Sequence, residues 1–188
     1  MKTKNITWKG LYYTSIEHCF ISMEEKLIDI RSSIIGHLDN VIYKVEYSIR
    51  ADKNWETIFF HINSEINNVS TKIQGQKTEN GQWVINGDYR EDLDLCTDID
   101  ISISPLTNSL PINRLHLKNG EETQINVLYI DVLKQQIIGV EQKYTRLTDT
   151  KYRYENIPND FEAIIQVDHD GFVITYPTLF ERTVIVEK

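Results

Sequence analysis

Polar and apolar side chains alternate along most of this chain, and this pattern limits more than any other what it can fold into. The period of two is clear in residues 41–49 and returns in residues 69–73 and 136–147. Because successive side chains of a strand point to opposite faces, this period predicts β-strands. Turn signals such as Asn119-Gly120 separate the alternating stretches at intervals of roughly ten residues. The pattern predicts a mainly β protein, with one antiparallel sheet of many strands rolled or folded onto itself.

One segment, CTDIDISISPLTNSLPINRL, breaks this pattern. A strictly alternating stretch places four polar side chains on one face of a predicted strand: Asp98, Asp100, Ser102 and Ser104. Pro105 ends the alternation, and helix signals follow. Thr107 or Ser109 can cap the first amides of a helix, and Pro111 fits its first turn, where no donor is needed. We therefore expect the single core helix within residues 106–117.

Composition places the chain among ordinary globular proteins. It has 188 residues, of which 40% are hydrophobic and 26% charged, and no shift in composition marks a boundary. We expect one domain over residues 1–188. The net charge of −8 argues against nucleic acid as a partner, because such binding depends on basic patches. The first residues lack an apolar stretch of signal-peptide length, so a cytoplasmic location is expected.

No motif predicts a metal or cofactor site. The five histidines do not show the spacing of metal ligands, and no glycine-rich phosphate loop is present. The turn Asp168-His169-Asp170-Gly171 lacks the further acidic residues of a calcium loop, so a hairpin turn is the better interpretation. Cys19 and Cys96 form no disulfide framework and are expected to be small buried side chains. We expect no metal, no cofactor and no catalytic residue.

The polar residues around the predicted helix are the first candidates for a binding site. Asp98 and Asp100 can flank a bond as general acid and base, but hydrogen bonds to backbone amides or to Arg114 are the favoured interpretation. If the sheet wraps the helix, the buried guanidinium of Arg114 needs a carboxylate partner, for which both aspartates are candidates. Thr107 and Asn108, the other polar residues of the segment, belong to the same candidate site for an anion or a sugar hydroxyl.

Aromatic residues are the second group of candidates. Trp and Tyr rings can stack on sugar faces or line an apolar pocket, although packing within a large sheet is the more common role. The candidates kept for a ligand site are Trp83, Tyr144 and Tyr176.

The central segment resembles a known family. Its cysteine, Asp-x-Asp, Pro-x-Thr-Asn-x-Leu-Pro-Ile core and Arg-Leu end match the pattern of the bacterial putative glycolipid-binding family, formerly a domain of unknown function. Further matches occur in order over residues 41–182: Gly81-Gln82-Trp83, Gln142-Lys143-Tyr144-Thr145, Tyr152-Arg153-Tyr154, Gly171-Phe172-Val173 and Tyr176-Pro177. The resemblance implies a spiral β-roll, in which a many-stranded sheet wraps one short α-helix, and a protein that is often dimeric.

Three functions remain open from the sequence. The resemblance favours a non-enzymatic protein that binds a glycolipid or another amphipathic ligand between sheet and helix. The alternative is an intracellular structural or interaction module whose roll is filled by its own helix and whose surface dimerises. A hydrolase using Asp98, Asp100 and Arg114 is the third. A homodimer is expected because apolar strands such as residues 58–62 leave sheet edges to protect.

Overall fold

The computed structural model describes residues 1–188 and contains fifteen strands and one α-helix. The strands of the first part are β1 (Lys2–Gly10), β2 (Ser15–Met23), β3 (Leu27–Leu38), β4 (Val41–Asp52), β5 (Thr57–Ile66), β6 (Val69–Lys77), β7 (Trp83–Ile85) and β8 (Asp88–Tyr89). A 3-10 turn (Glu91–Leu93), strand β9 (Asp98–Ile101) and helix α1 (Leu106–Leu115) follow. The remaining strands are β10 (Glu122–Asp131), β11 (Gln136–Thr148), β12 (Lys151–Ile157), β13 (Glu162–Val167), β14 (Val173–Tyr176) and β15 (Phe180–Glu187).

All fifteen strands belong to one sheet. Its order is β8-β7-β6-β5-β4-β3-β2-β1-β15-β14-β13-β12-β11-β10-β9, so β1 and β15 join two consecutive meanders in the middle. Each neighbouring pair is antiparallel except β9 and β10, which are parallel. Parallel neighbours need a crossover connection, and α1 lies in the connection between these two strands. The predicted mainly β, antiparallel architecture with a single short helix is confirmed.

The β9–β10 end of the sheet is turned inward, which gives the roll its spiral form. On one face of β10, Leu128 and Ile130 belong to a hydrophobic core of 28 residues shared with β1–β7. On the other face, Ile125 and Val127 belong to a second core of 12 residues shared with β12–β15. Because β10 is buried on both faces, the β9–β10 end of the sheet lies between the two cores.

Helix α1 lies beside this inner end and contributes to both cores. Leu106 and Leu110 are fully buried in the larger core, and Ile112 is buried in the smaller one. All residues from Leu106 to Ile112 are buried. With ten residues, this helix is not long enough to cross a bilayer, and the protein has no other α-helix.

Helix α1 lies within the predicted residues 106–117, but its N-terminal cap differs from the prediction. The helix begins at Leu106, and Pro105 occupies the N-cap position without a side-chain cap, so neither Thr107 nor Ser109 is the cap. Pro111 therefore lies inside the helix, and the Ser109 hydroxyl is buried without a hydrogen-bond partner. The hydroxyl of Ser104 accepts a hydrogen bond from the Leu106 amide at 3.2 Å instead. The capping prediction was wrong because tertiary burial, and not the local cap signal, sets where the helix starts.

Candidate functional site

A cavity of about 600 Å³ lies between the inner end of the sheet and strands β11–β15. Ten of its 18 lining residues are hydrophobic, and side chains from β9, α1, β10, β11, β12, β14 and β15 reach it. The aromatic lining residues are Tyr12, Tyr13, Tyr129, Tyr154, Phe161, Tyr176 and Phe180. Its polar lining residues include Asp100, Ser102, Ser104, Asn108 and Gln142. Apolar walls with a few polar groups are typical of small-molecule sites.

Asp98 and Arg114 form an ion pair beside this cavity but do not line it. The Arg114 Nη2 atom donates to Asp98 Oδ2 at 2.6 Å, and its Nε atom donates to Asp98 Oδ1 at 3.0 Å. Asp98 is fully buried, and the Arg114 side chain is 20% exposed. Burial alone would lower the pKa of Arg114, but the hydrogen bond and charge of Asp98 outweigh it and hold the pKa above its usual value. The expected pairing of this arginine with one of the two aspartates is confirmed, and Asp98 is the partner.

Asp100 takes a different position, although it lies only two residues away on the same strand face. Its Oδ1 atom accepts a hydrogen bond from the Thr107 hydroxyl at 3.1 Å, and its Oδ2 atom accepts one from the Gln142 amide at 2.8 Å. Burial raises the pKa of Asp100 above its ordinary value, and these two hydrogen bonds oppose the shift. Asp100 also lines the cavity, so its carboxyl group lies next to the space that a ligand can occupy.

Three other candidate residues lie around the same cavity. The Tyr144 hydroxyl donates to Asn108 Oδ1 at 3.0 Å, which ties β11 to α1 behind the cavity wall. Asn108 and Tyr176 line the cavity directly. The ring of Tyr176 packs against that of Tyr154 with centroids 6.0 Å apart. The structure therefore brings Asp100, Thr107, Asn108, Tyr144 and Tyr176 together.

Trp83 lies elsewhere. Its side chain is fully buried in the larger core, packs on Phe60 with ring centroids 5.6 Å apart, and donates from Nε1 to the Cys96 carbonyl at 2.9 Å. Trp83 packs within the larger core and does not line the cavity.

Several cavity residues were not among the sequence candidates. Tyr13 lies in the turn between β1 and β2, Phe161 lies just before β13, and Phe180 begins β15. Tyr129 of β10 also lines the cavity, and burial raises the pKa of its hydroxyl to about 12. Nothing in the local pattern separates these aromatic residues from others that pack elsewhere, because the cavity is formed by segments distant in sequence.

A buried carboxylate next to the cavity was also missed. Glu17 is 2% exposed, and its Oε1 atom accepts hydrogen bonds from Tyr47 at 2.5 Å, Ser32 at 2.7 Å and Ser104 at 2.9 Å. Its Oε2 atom has no hydrogen-bond partner. Burial raises the pKa of Glu17 from 4.5 to about 7, although the three hydrogen bonds lower it in part. Ser104 links this carboxyl group to the cavity wall.

The chain matches a known protein family over nearly its whole length. A family model described as "Putative glycolipid-binding" matches residues 5–182. The chain belongs to this family. The match begins before β1 ends, so it extends further toward the N-terminus than the motifs in the sequence indicated.

A solved structure gives the same fold. The crystal structure of a DUF1089 family protein from Pseudomonas aeruginosa is similar to this chain with a TM-score of 0.78 and 31% sequence identity. The alignment covers 89% of this chain and 92% of that chain. No curated protein matches this chain.

The Asp98–Arg114 pair predicts a strong effect on stability. Arg114→Met should lower the free energy of unfolding by about 3–5 kcal/mol, because it leaves the Asp98 carboxylate buried without its cation. Arg50→Met is a suitable control, since Arg50 pairs with Asp29 and both side chains are close to half exposed. We expect the control to change stability by less than about 1 kcal/mol. Chemical denaturation measures both values. Equal losses in the free energy of unfolding for the two variants would contradict the prediction.

The Glu17 carboxyl predicts how stability depends on pH. In the unfolded chain this group loses its proton near pH 4.5, whereas in the folded protein it keeps the proton up to about pH 7. Between these values folding takes up a proton, so the free energy of unfolding should fall as the pH rises and then level off. The total fall in the free energy of unfolding should be about 3 kcal/mol, since a shift of one pKa unit corresponds to about 1.4 kcal/mol. Glu17→Gln should remove this fall, and exposed Glu46→Gln should leave it unchanged, as measured by denaturation at several pH values. A Glu17→Gln variant with the wild-type pH profile would show that another group is responsible.

Proposed function

We propose that this protein binds an amphipathic ligand, a glycolipid in particular, in the cavity beside α1, and that it is not an enzyme. The observation that carries the proposal is a cavity of about 600 Å³ with aromatic walls and polar groups from β9, α1 and β11. Ligand sites in proteins commonly have volumes of about 300–1,000 Å³. Membership of a family named for glycolipid binding supports the same function.

The distribution of polar groups suits a ligand with hydroxyl groups at one end. Tyr154 and Tyr176 line the cavity, and burial raises the pKa of both hydroxyls. A tyrosine hydroxyl can both donate and accept a hydrogen bond, so both residues offer polar contact to a ligand. Asp100 and Gln142 add a carboxylate and an amide, while Val140, Leu179 and the phenyl rings offer apolar contact. The polar groups suit the hydroxyls of a sugar head group, and the apolar side chains suit an acyl chain.

The two aspartates do not support the hydrolase alternative. General acid–base cleavage of a glycosidic bond needs two carboxyl groups that both face the bond. Asp98 is fully buried and its two oxygens are both engaged by Arg114, whereas only Asp100 lines the cavity. This arrangement does not fit a hydrolase that uses Asp98 and Asp100 as its acid–base pair.

Native mass spectrometry of the protein purified from its own host tests the proposal directly. A retained lipid should appear as a mass adduct that disappears after extraction with organic solvent. If the host protein carries no adduct and the extracted protein binds no alkyl glycoside, the proposal is wrong and a module with a self-filled interior is favoured.

A variant in the cavity wall tests the location of the site. Phe161 is 38% exposed and its ring packs on Tyr154 and Tyr176 at the cavity. Phe161→Ala should weaken binding of octyl glucoside about fivefold or more, because an aromatic contact contributes about 1 kcal/mol beyond its buried area. Phe59→Ala, which removes a half-buried ring of β5 outside the cavity, should bind like the wild type. Calorimetric titration would place the site elsewhere if both variants bound equally well.

A second candidate, an interaction module that forms a homodimer, has its own observation. Ile16, Ile35 and Ile42 are each more than 60% exposed on the outer face of the sheet. Ile16 and Ile35 are direct cross-strand partners, and Ile42 lies diagonal to Ile35 on the next strand. Neighbouring exposed apolar side chains of this kind are a common feature of protein interfaces.

The homodimer is a prediction that light scattering can check. We expect a dimer at micromolar concentration, and we expect Ile35→Glu to convert it to a monomer because it places a charge in the centre of the apolar patch. The control, Ser48→Glu, adds the same charge on β4 farther from the patch and should leave the dimer intact. A wild-type protein that remains monomeric at high micromolar concentration would exclude this assembly. The single domain over residues 1–188, the cytoplasmic location and the lack of nucleic-acid binding also stay predictions.

A further inference from the structure

The Asp100 carboxylate lacks a cation in the protein. Its two hydrogen-bond partners, the Thr107 hydroxyl and the Gln142 amide, are both neutral. Arg114, the cation of this region, is bound to Asp98 through both of that residue's carboxylate oxygens. The two aspartates of the Asp-x-Asp motif therefore differ: one is neutralised by an arginine, and the other is not.

The lining of the cavity repeats this imbalance of charge. Its 18 residues include the carboxylates of Asp100 and Glu141, but they include no lysine, arginine or histidine. A phosphate, sulfate or carboxylate head group would meet negative charge here and no positive charge. Burial also raises the pKa of Asp100, which is the effect expected for a carboxyl group that has lost water without gaining a cation.

Aromatic rings line the same cavity as the Asp100 carboxylate. Tyr129 is the register partner of Asp100 across the β9–β10 pair, and the charge of Asp100 contributes to the raised pKa of Tyr154 and Tyr176. The face of an aromatic ring carries partial negative charge and attracts cations. Aromatic side chains together with one carboxylate form the type of site that holds ammonium groups in proteins.

We propose that the ligand of this cavity carries a protonated amine, as an amino-sugar head group does, and that this amine pairs with Asp100 among the tyrosine rings. The inference rests on the proposed function, since it assigns the chemistry of the head group for the same cavity. The ammonium supplies the cation that the protein does not, and the hydroxyls of the sugar meet the hydroxyls of the tyrosines.

Two glycosides that differ in one group test this inference. Octyl glucoside and octyl 2-amino-2-deoxyglucoside share the chain and the ring, and differ only in the hydroxyl or amino group at carbon 2. In calorimetric titrations at about pH 6.5, where the amine is largely protonated, the wild-type protein should bind the amino glycoside at least tenfold more tightly. Asp100→Asn should abolish this preference, so that the variant binds the two glycosides with equal affinity. Glu141→Gln, the control that removes the other carboxylate of the wall, should keep the preference.

The outcomes separate the two proposals. If the wild-type protein binds both glycosides equally well, the inference is wrong while the lipid-binding function stands. If Asp100→Asn retains the preference, the amine pairs with another group and the inference is also wrong. If neither glycoside binds, the inference is wrong, and the proposed function fails as well if the protein from its own host carries no lipid adduct. The wild-type comparison decides the matter even if the Asp100→Asn variant does not fold.

Discussion

The burial of β9 and β10 on both faces is the constraint on which the rest of the structure depends. A strand at the end of a sheet normally has one free edge and one face toward solvent. Here the strand pair and α1 lie between two hydrophobic cores, one formed with β1–β7 and one with β11–β15. The sheet must therefore curve around β9 and β10, the strands at its inner end, and a spiral roll is the result.

This arrangement gives the polar face of β9 an unusual environment. Ile99 and Ile101 face the larger core and need no partner, but Asp98 and Asp100 face the interior of the second half of the roll. A carboxylate in such a place must be paired or hydrogen-bonded, since an isolated buried charge is very costly. Asp98 meets this need with Arg114 from α1, and Asp100 meets it in part with Thr107 and Gln142. The helix is thus held to the strand by polar contacts as well as by leucine packing.

The cavity follows from the same geometry. The aromatic side chains of β10, β12, β14 and β15 converge on the space next to the inner strands but do not fill it. Around its edge lie Asp100 with no cation and tyrosine hydroxyls with capacity for further hydrogen bonds. On the larger-core side, Glu17 reaches the same wall through Ser104. This member of the putative glycolipid-binding family thus has a polar, acidic and aromatic cavity within an otherwise apolar roll.

The amino-acid sequence by itself determined the class of fold and the position of its one helix. Strict alternation in residues such as Tyr43, Val45 and Tyr47 is sufficient to predict strands, because the period of two is a property of the extended backbone. The Asp-x-Asp motif followed by Arg114 was sufficient to predict an ion pair, because a buried guanidinium needs a carboxylate. Only the tertiary structure decided which aspartate is paired, that Trp83 packs in the core, and that Tyr13, Phe161 and Phe180 meet at one cavity. These outcomes depend on contacts between segments far apart in the chain, which no local pattern of residues contains.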